Sequence, residues 1–429
     1  MYFTMLLLSR TRPTFVLFII AIIFVIVSLL ALLSIPPVGT RKVSKGPVQQ
    51  RLFQAIRDTP SAYTQTHILR KSSEPSNINC VPHKKLVFLK THKTGSTTLA
   101  SIIQRYGYLK NLTFLVPHRN HFLNYQKIFN ADKINLTEVK DTGEGPWTFR
   151  KGYDILTNHA RYNRTSMDRV FHGVRYVTIL REPSAQFESA FYYFEIWRSI
   201  PRSREPLKLF MEDPELHFKN VMRTRQYYKS SMHNQHLYDF GMSHDDMNDD
   251  VKVRSKIREI DADFDLVMIT EYFDESLLLL RKLLCWSMDD ILYLAKGTRT
   301  PDYHGEVGPD LRNNIQAWNK ADVSLYAHFN HTFWRKVRQY GSDFEKDLAE
   351  FRDRLADTHD TCCNNTRQNS KDRRVVLFSL KNNPSTWCRH VARGDVDFTN
   401  LIRERMLQHG IPTYDNRESH KRKKNKLLN

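Results

Sequence analysis

The residues best suited to chemistry stand together in one short stretch, HKTGSTT, which begins at His92. It follows the apolar run 86–89, and apolar residues then recur at helical spacing from Leu99 onward. This pattern predicts a buried strand, a loop and a helix, in that order. Such a loop points backbone N–H groups and hydroxyls at a ligand from the start of a helix, so it can hold an anion. The alternative is an ordinary turn capped by Ser or Thr.

The position of the lysine in this loop argues against a nucleoside triphosphatase. Lys93 precedes Gly95, whereas the pattern G-x-x-x-x-G-K-[ST] places the lysine after the glycines. Such an enzyme also needs an aspartate at a strand end to hold Mg²⁺, and two later strand patterns end in Arg181 and Glu271. No metal is therefore expected. A lysine at the head of the loop can instead neutralise a bridging oxygen as the bond from a phosphate to a transferred group breaks.

Other polar residues follow the ends of predicted strands. Arg181 and Ser189 come after the run VRYVTIL at residues 174–180, and His159 comes after DILTN at residues 154–158. Because the carboxyl ends of parallel strands meet at one edge of a sheet, these side chains are candidates for a common site. Taken singly, each is more simply a surface or structural residue.

Four further side chains are weaker candidates. His92, beside Lys93, is a second candidate base. Glu271 either orients a base or simply begins a helix. His118 and His121 form an H-x-x-H pair, but no third ligand accompanies them, so a metal site is not predicted.

Strand and helix patterns alternate along most of the chain. Residues 264–269 and 291–294 are predicted as further strands, one helix opens at Pro183, and another follows within residues 271–284. The alternation predicts an α/β fold with a mostly parallel sheet covered on both faces and ligands at the carboxyl ends of its strands. Residues 111–150 are predicted to form a peripheral insertion over the sheet.

The N-terminal region predicts a membrane anchor. Residues 14–35 form a run of 22 residues without a charge, which as a helix covers about 33 Å. Signal peptides have shorter apolar regions, so a retained signal-anchor is favoured, with cleavage near residues 31–34 as the alternative. The predicted organisation is a cytoplasmic tail at 1–13, a transmembrane anchor at 14–35, a stem at 36–79, a luminal catalytic domain at 80–410 and a basic tail at 411–429.

Five N-x-S/T sequons follow the predicted span and favour a luminal location for the large C-terminal part. The predicted glycosylation sites are Asn111, Asn135, Asn163, Asn330 and Asn364.

The chain carries a formal net charge of +19 with a pI near 9.6, which predicts an anionic partner. Nucleic acid is disfavoured because a luminal domain rarely meets it and no nucleic-acid motif is present. Anionic nucleotide or glycan ligands fit better. The basic block HKRKKNK from His420 is most simply a solvated end.

The five cysteines show no C-x-x-C pair and no metal spacing. In an oxidising lumen some of them are expected to form disulfides, but the sequence leaves their connectivity open. An odd number leaves one unpaired or bonded to another molecule. Cys285, in the apolar stretch LLCW, is predicted to be a buried thiol.

Several blocks resemble Golgi carbohydrate sulfotransferases, and among them the galactose 3-O-sulfotransferase family, which includes the galactosylceramide (cerebroside) sulfotransferase. The blocks cover roughly residues 86–341 in order. They are FLKTHKTGSTTL from Phe88, NHARY from Asn158, TILREPSAQFESAFYYF from Thr178, EYFDESLLLLRKLLCW from Glu271 and AWNKADVSLYAHFNHTFWRKV from Ala317. Together they are far more specific than the loop alone.

This resemblance implies a P-loop-like three-layer domain in a single-pass type II protein of the Golgi membrane. It implies transfer of a sulfuryl group from 3'-phosphoadenosine 5'-phosphosulfate (PAPS), without a metal, to the 3-hydroxyl of a galactose on a glycolipid or glycoprotein glycan. By resemblance the catalytic residues are Lys93 and His159, the latter as the base. The implied donor-binding residues are Lys93, Thr94, Gly95, Ser96, Thr97, Thr98, Arg181 and Ser189.

Two rival functions remain open at this point: a luminal phosphotransferase of related fold, and a glycan-binding protein that kept the fold without activity. Binding of adenosine 3',5'-bisphosphate separates the phosphotransferase from the sulfotransferase. The presence of Lys93, Arg181, Ser189 and His159 together argues against an inactive scaffold, which has no physical need to keep all four. The acceptor and the oligomeric state are not encoded in any pattern that can be interpreted.

Overall fold

The computed structural model describes residues 80–416 except residues 125, 135–151, 225–231, 295–297, 300–306 and 369–374. The predicted anchor at 14–35, the predicted stem and the basic block from His420 lie outside the described residues. Within the described part, no helix has both the length and the apolar character needed to cross a membrane.

Two sheets are present in the described residues. The strands are β1 (Leu86–Leu89), β2 (Ile155–Leu156), β3 (Arg175–Leu180), β4 (Leu266–Ile269), β5 (Thr298–Arg299), β6 (Cys363–Gln368) and β7 (Val375–Leu380). The helices are α1 (Ser96–Leu109), α2 (Arg164–Asp168), α3 (Pro183–Tyr193), α4 (Pro206–Glu212), α5 (Pro214–Thr224), α6 (Gln235–Asp239), α7 (Asp250–Asp263), α8 (Phe273–Leu284), α9 (Met288–Ile291), α10 (Pro309–Trp318), α11 (Lys320–Tyr340), α12 (Phe344–Cys362), α13 (Thr386–Ala392) and α14 (Asp395–Gln408).

The central sheet has the strand order β2-β1-β3-β4, and all its strands are parallel. Every side chain of β1 and β4 is buried. Since successive side chains of a strand point to opposite faces, both faces of the sheet must be covered. Helix α1 packs against α14, while α8 and α11 pack against β4. The predicted α/β fold with a mostly parallel sheet is therefore confirmed, whereas its P-loop-like character stays a prediction.

The predicted strand at residues 291–294 is wrong. The chain there completes the short helix α9, which ends at Ile291. Ser287 explains the difference, because its hydroxyl accepts a hydrogen bond from the Asp290 backbone N–H while the Asp290 carboxylate accepts one from the Ser287 N–H. This capping box starts a helix just before the apolar run.

The segment after α1 is not wholly peripheral, which corrects the prediction for residues 111–150. Phe114 and Leu115 are buried in the core, and Leu115 N donates to Ile155 O at 3.0 Å, so the segment extends the sheet beyond β2. Helix α1 makes room for it at Gly107, where a Cβ would lie 2.4 Å from Phe114 Cζ. Residues 135–151 lie outside the described part.

The C-terminal region adds a small antiparallel sheet, in the order β5-β7-β6, and two disulfides. Cys362 pairs with Cys388, and Cys80 pairs with Cys285, which caps α8 in a left-handed conformation. The prediction that Cys285 is a buried thiol is therefore wrong. Cys363 is the buried free cysteine among the described residues.

The packed domain continues past the predicted boundary at residue 410. Ile411 and Tyr414 are buried, and Tyr414 N donates to Val116 O at 2.9 Å. Asn416 donates to the carbonyl oxygens of Arg119 and Phe122. Helix α14 and residues 411–416 thus hold the segment 116–122, which follows Leu115 at the edge of the central sheet.

Candidate active site

The candidate site lies at the carboxyl ends of the parallel strands. Helix α1 leads from β1 to β2 on one side, and the chain then crosses to β3 on the other side of β1. This reversal creates a crevice between the ends of β1 and β3, where α/β sheets usually bind ligands. The loop 90–95 follows β1, and Arg181 follows β3.

The loop after β1 is held in one conformation by its own hydroxyls. Ser96 Oγ donates to Thr91 O at 2.6 Å, and the Thr91 and Thr94 hydroxyl oxygens lie 2.9 Å apart. Thr270, at the end of β4, donates to Thr94 O at 2.7 Å. The Thr94 and Ser96 hydroxyls therefore shape the loop, and only part of the predicted set of hydroxyls faces outward.

The start of α1 is suited to an anion. Its N-cap, Gly95, has a φ of 72° and supplies no side-chain cap to the first turn. A glycine takes this left-handed conformation without the steric cost of a Cβ. Gly95 and Thr97 are exposed, and Thr98 is half-buried. The first backbone N–H groups of the helix, without a capping side chain, are the donors that an anion at a helix N-terminus uses.

The structure brings Lys93 and Arg181 together, while their binding and catalytic roles stay predictions. Arg181 Nη1 donates to Lys93 O at 3.2 Å. Lys93 Nζ lies 3.5 Å from the centre of the Tyr193 ring, which is 65% exposed at the end of α3. Ser189 is buried on the same helix, although its helix position suggested exposure. Two cationic side chains thus border the crevice between β1 and β3.

Glu271 lies in the 3-10 turn Thr270–Tyr272 that leads directly into α8, so the prediction that it begins a helix is confirmed. Its carboxylate accepts hydrogen bonds from the Glu182 backbone N–H at 3.0 Å and from the Tyr326 hydroxyl at 3.1 Å. Glu182 is the N-cap of α3. Glu271 therefore joins the end of β4 to the start of the helix that follows Arg181.

Two histidines stack beside the loop. The rings of His92 and His159 lie 4.1 Å apart with an interplanar angle of 18°. The His159 Nδ1 atom is 2.9 Å from Lys90 O. Because a carbonyl oxygen only accepts, His159 Nδ1 carries the proton and Nε2 is left as the acceptor. Burial lowers the pKa of His159 well below its ordinary value of 6.5, and the neighbouring His92 and Lys90 lower it further.

A carboxylate holds the other histidine. Asp239 Oδ1 is 2.9 Å from His92 Nδ1, and Asp239 Oδ2 accepts from the His92 backbone N–H at 2.9 Å. Gln235 Nε2 donates to Asp239 Oδ1 at 2.9 Å, and His236 Nε2 lies 2.9 Å from Arg181 O. The short helix α6 therefore connects both sides of the crevice.

Sequence reasoning missed Asp239 and a buried ion pair between Lys90 and Asp395. Asp239 is 147 residues from His92, and no local pattern marks it. Lys90 did carry a signal, because a lysine directly after an apolar strand needs a partner if it is buried. The identity of that partner depends on the tertiary fold.

The two H-x-x-H histidines have different polar neighbours. His118 Nδ1 lies 3.1 Å from the Thr413 hydroxyl, and burial together with the nearby Lys90 lowers the pKa of His121. Over the described residues, no group of three or more His, Cys, Asp or Glu side chains is arranged to hold a metal ion.

Comparison with known proteins identifies the family. A family model described as galactose-3-O-sulfotransferase matches residues 23–375. The chain belongs to the galactose-3-O-sulfotransferase family. Galactosylceramide sulfotransferase of Mus musculus is 33% identical over 288 residues, which cover 64% of this chain and 62% of that protein. Galactose-3-O-sulfotransferase 3 of Bos taurus is 36% identical over 287 residues, which cover 64% of this chain and 63% of that protein. The chain thus spans less than two thirds of the length of these two relatives.

The family resemblance predicted from the sequence blocks is confirmed. The galactose-3-O-sulfotransferase match includes every residue predicted for the donor site and for catalysis. It ends at residue 375, before α13 and α14 begin. The ion pair partner Asp395 therefore lies outside the part of the chain that the family model matches.

The predicted glycosylation sites of this galactose-3-O-sulfotransferase family member differ in exposure. Asn111 is exposed just after α1, and Asn364 is exposed on β6. Asn330 is half-buried within α11, and Asn135 lies outside the described residues. Asn111 is the best placed for a glycan, because the Nδ2 of Asn364 donates to Leu380 O at 3.4 Å, and glycosylation stays a prediction at all five sites.

Asn163 is occupied by a structural role. Its side-chain oxygen accepts from the Ser166 backbone N–H at 3.2 Å and caps α2, while its Nδ2 donates to Phe129 O at 3.2 Å. Attachment of a glycan to Nδ2 competes with the second bond. Asn163 is therefore a weaker candidate than the exposed Asn111.

Proposed function

We propose that the protein transfers a sulfuryl group from PAPS to the 3-hydroxyl of a galactose on a glycolipid or glycoprotein glycan. The observation that carries this proposal is the meeting of Lys93 and Arg181 at the crevice between β1 and β3, beside the stacked imidazoles of His92 and His159. Family membership supplies the reaction class. The named activities of the relatives, on galactose and galactosylceramide, support the acceptor.

The residues present fit the donor. Lys93, Thr94, Gly95, Ser96, Thr97 and Thr98 would hold the 5'-phosphosulfate through the backbone N–H groups at the start of α1. Arg181 and Ser189 would hold the 3'-phosphate, since a guanidinium can bind a phosphate with two parallel hydrogen bonds. PAPS supplies a sulfuryl group that is already activated. Lys93 would neutralise the charge that develops on the bridging oxygen, in a site where no bound metal is proposed.

His159 is proposed as the base for the acceptor hydroxyl. Its Nδ1–H bond to Lys90 O fixes Nε2 as the atom that accepts the proton, and its lowered pKa keeps it neutral at physiological pH. His92 competes for this role, because its ring stacks on that of His159 and Asp239 holds it beside the loop.

The compartment belongs to the same proposal. Residues 14–35 would anchor the chain in the Golgi membrane as a single-pass type II protein, with residues 80–416 in the lumen. The two disulfides support an oxidising compartment, because cytosolic proteins rarely keep such bonds. Microscopy of the full chain, with protease protection of its C-terminal part, tests this location.

Transfer from labelled PAPS to a panel of acceptors tests the function. The panel contains galactosylceramide, a galactose-terminated oligosaccharide, glucosylceramide and a 3-deoxygalactose analogue. We expect label on the galactose acceptors and none on the 3-deoxy analogue. Absence of transfer to every acceptor, with no binding of adenosine 3',5'-bisphosphate, would overturn the proposal. Transfer of phosphate from ATP would favour the rival phosphotransferase.

Two variants test which histidine is the base. His159→Ala is expected to bind PAPS as tightly as the parent and to lose about 10² to 10⁴ in turnover. His92→Ala is the matched control, because it removes the stacked partner. Since the pKa of His159 is lowered, the acidic limb of the pH profile is expected below pH 6.5 and not at it. Normal turnover of His159→Ala, with loss in His92→Ala, would assign the base to His92.

A further inference from the structure

A buried ion pair lies behind the proposed base and has no part in the mechanism so far. Lys90 directly follows β1, and its ammonium group pairs with the Asp395 carboxylate in the first turn of α14. The side chains are only 5% and 11% exposed. Burial of two charges costs solvation free energy that a single ion pair recovers only with good geometry. Lys90 and Asp395 are 305 residues apart, so the fold brings this pair together across nearly the whole domain.

The same helix contacts the strand end that carries His159. Asn158 Nδ2 donates to the Thr399 hydroxyl at 3.1 Å, and Gln104 Nε2 donates to that hydroxyl at 3.0 Å. Thr399 lies one turn after Asp395 on α14. The helix therefore fixes the residue next to His159 in the chain and, through the ion pair, the residue after β1.

The ion pair is linked to the His159 imidazole through one residue, Lys90. Lys90 O is the atom that accepts the hydrogen bond of His159 Nδ1–H. If Lys90 shifts, the bond that selects the His159 tautomer and sets the direction of Nε2 is weakened. We infer that Asp395 is a positioning residue for His159, acting through Lys90, and that α14 is part of the active site. This inference rests on the proposed role of His159 as the base.

The charges around His159 predict the direction in which its pKa should move when Asp395 or Lys90 is replaced. The titratable groups that face His159 are His92, His121 and Lys90. Behind them, Asp239 contacts His92, and both Asp395 and Arg403 act on His121. The Lys90 ammonium lowers the pKa of His159, and the Asp395 carboxylate offsets part of that charge. Loss of the carboxylate should lower the His159 pKa further, whereas loss of the ammonium should raise it.

The experiment uses Asp395→Asn, Lys90→Met and the double variant in the full-length protein. Histidine-labelled protein is titrated by NMR without donor or acceptor, and His159→Gln assigns the signal. We expect the pKa of His159 to fall in Asp395→Asn and to rise in Lys90→Met, each by about half a unit. The double variant should return near the parent value. Asp397→Asn, an exposed carboxylate in the same first turn, is the matched control and should change nothing.

Kinetics of the same variants separate positioning from stability. Asp395→Asn should lower kcat by about 10- to 100-fold while leaving the KM for PAPS unchanged. The acidic limb of its pH profile should move to lower pH, and that of Lys90→Met to higher pH. If a single variant does not fold, the double variant, which leaves no unpaired buried charge, is compared with Asp395→Glu.

The possible outcomes separate the positioning role of Asp395 from the proposed function. A His159 pKa that is unchanged in both single variants, or that moves in the same direction in both, would overturn the positioning role. A parent protein that transfers sulfate to no acceptor would overturn the proposed function and, with it, a catalytic meaning for Asp395. The NMR titration would still report whether Asp395 acts on His159, so the two failures are distinguishable.

Discussion

Lys93 combines an unusual backbone with a side chain placed for chemistry. Its φ of 62° is left-handed, a conformation that costs a residue with a Cβ about 1 kcal/mol or more. The hydrogen bond from Arg181 to its carbonyl oxygen helps to hold it there. Such an outlier motivates a functional hypothesis, because strain of this kind concentrates at active sites.

Replacement of Lys93 by alanine should lower transfer by about 10² to 10³, since it removes charge stabilisation of about 3 to 4 kcal/mol in the transition state. The fold should survive, because the half-buried side chain rests on the exposed ring of Tyr193. Steady-state transfer assays and thermal unfolding measure the two effects. Lys84→Ala, at an exposed lysine before β1, is the control. Full activity of secreted Lys93→Ala would refute the role of the loop.

Arg181→Ala should weaken adenosine 3',5'-bisphosphate much more than adenosine 5'-monophosphate, because the guanidinium is proposed to bind the 3'-phosphate. Some loss for both nucleotides is also expected, since Arg181 holds the loop at Lys93 O. Calorimetry with both nucleotides gives the ratio. Ser189→Ala should change the same ratio in the same direction. Equal losses for the two nucleotides would remove Arg181 from the 3'-phosphate site.

At the level of single residues, the sequence predicted those that belong to a local motif. Lys93 and Gly95 belong to one loop, and Arg181 directly follows a clear strand pattern, so strand-end reasoning placed them together. Asp239 and Asp395 could not be found in this way. Their partners are far away in the chain, and contacts of that kind arise only from tertiary packing.

The secondary-structure elements show the same division between features with a clear local pattern and features without one. The apolar runs before the loop and before Arg181 form the predicted strands β1 and β3. The run at residues 291–294 has the same length as β1, so its pattern could not separate strand from helix, and the capping box of Ser287 decided for helix. Phe114 was assigned to an insertion because a bridge outside regular strands leaves no periodic signal.

The Cys362–Cys388 disulfide ties the end of α12 to α13 across 26 residues. Replacement of both cysteines by serine should lower the free energy of unfolding by about 3 kcal/mol, because the open chain gains conformational freedom. Denaturant titration measures the change. Cys363→Ala, which removes a neighbouring thiol without a bond, should have a clearly smaller effect. Equal losses in the two variants would show that packing, and not the cross-link, stabilises this region.

For the whole molecule, half-buried histidines should make stability depend on pH. Burial is the largest cause that lowers the pKa of each member of this group, His83, His121, His159, His233 and His390. The unfolded chain binds more protons than the folded chain between these lowered values and pH 6.5, so the free energy of unfolding should fall as pH drops below about 6.5. Asp322, whose pKa burial raises, contributes with the opposite sign.

Denaturant midpoints at pH 7.5 and pH 5.5 measure this effect, and the midpoint at pH 5.5 should be lower. His233→Gln should reduce the difference between the two midpoints, because glutamine does not titrate. A midpoint that is higher at pH 5.5 would contradict the prediction.

The Cys80–Cys285 disulfide also has a mechanical consequence. Residues 80–83 are fastened to the end of α8 by this bond, by His83 N donating to Leu284 O at 2.8 Å and by Trp286 Nε1 donating to His83 O at 3.1 Å. A force that pulls on the chain before Cys80 therefore loads α8 first. Strand β1 begins at Leu86 and ends just before the Lys93 loop, so it lies beyond the point where this force enters the domain. The active-site loop is thus insulated from tension in the segment that precedes the domain.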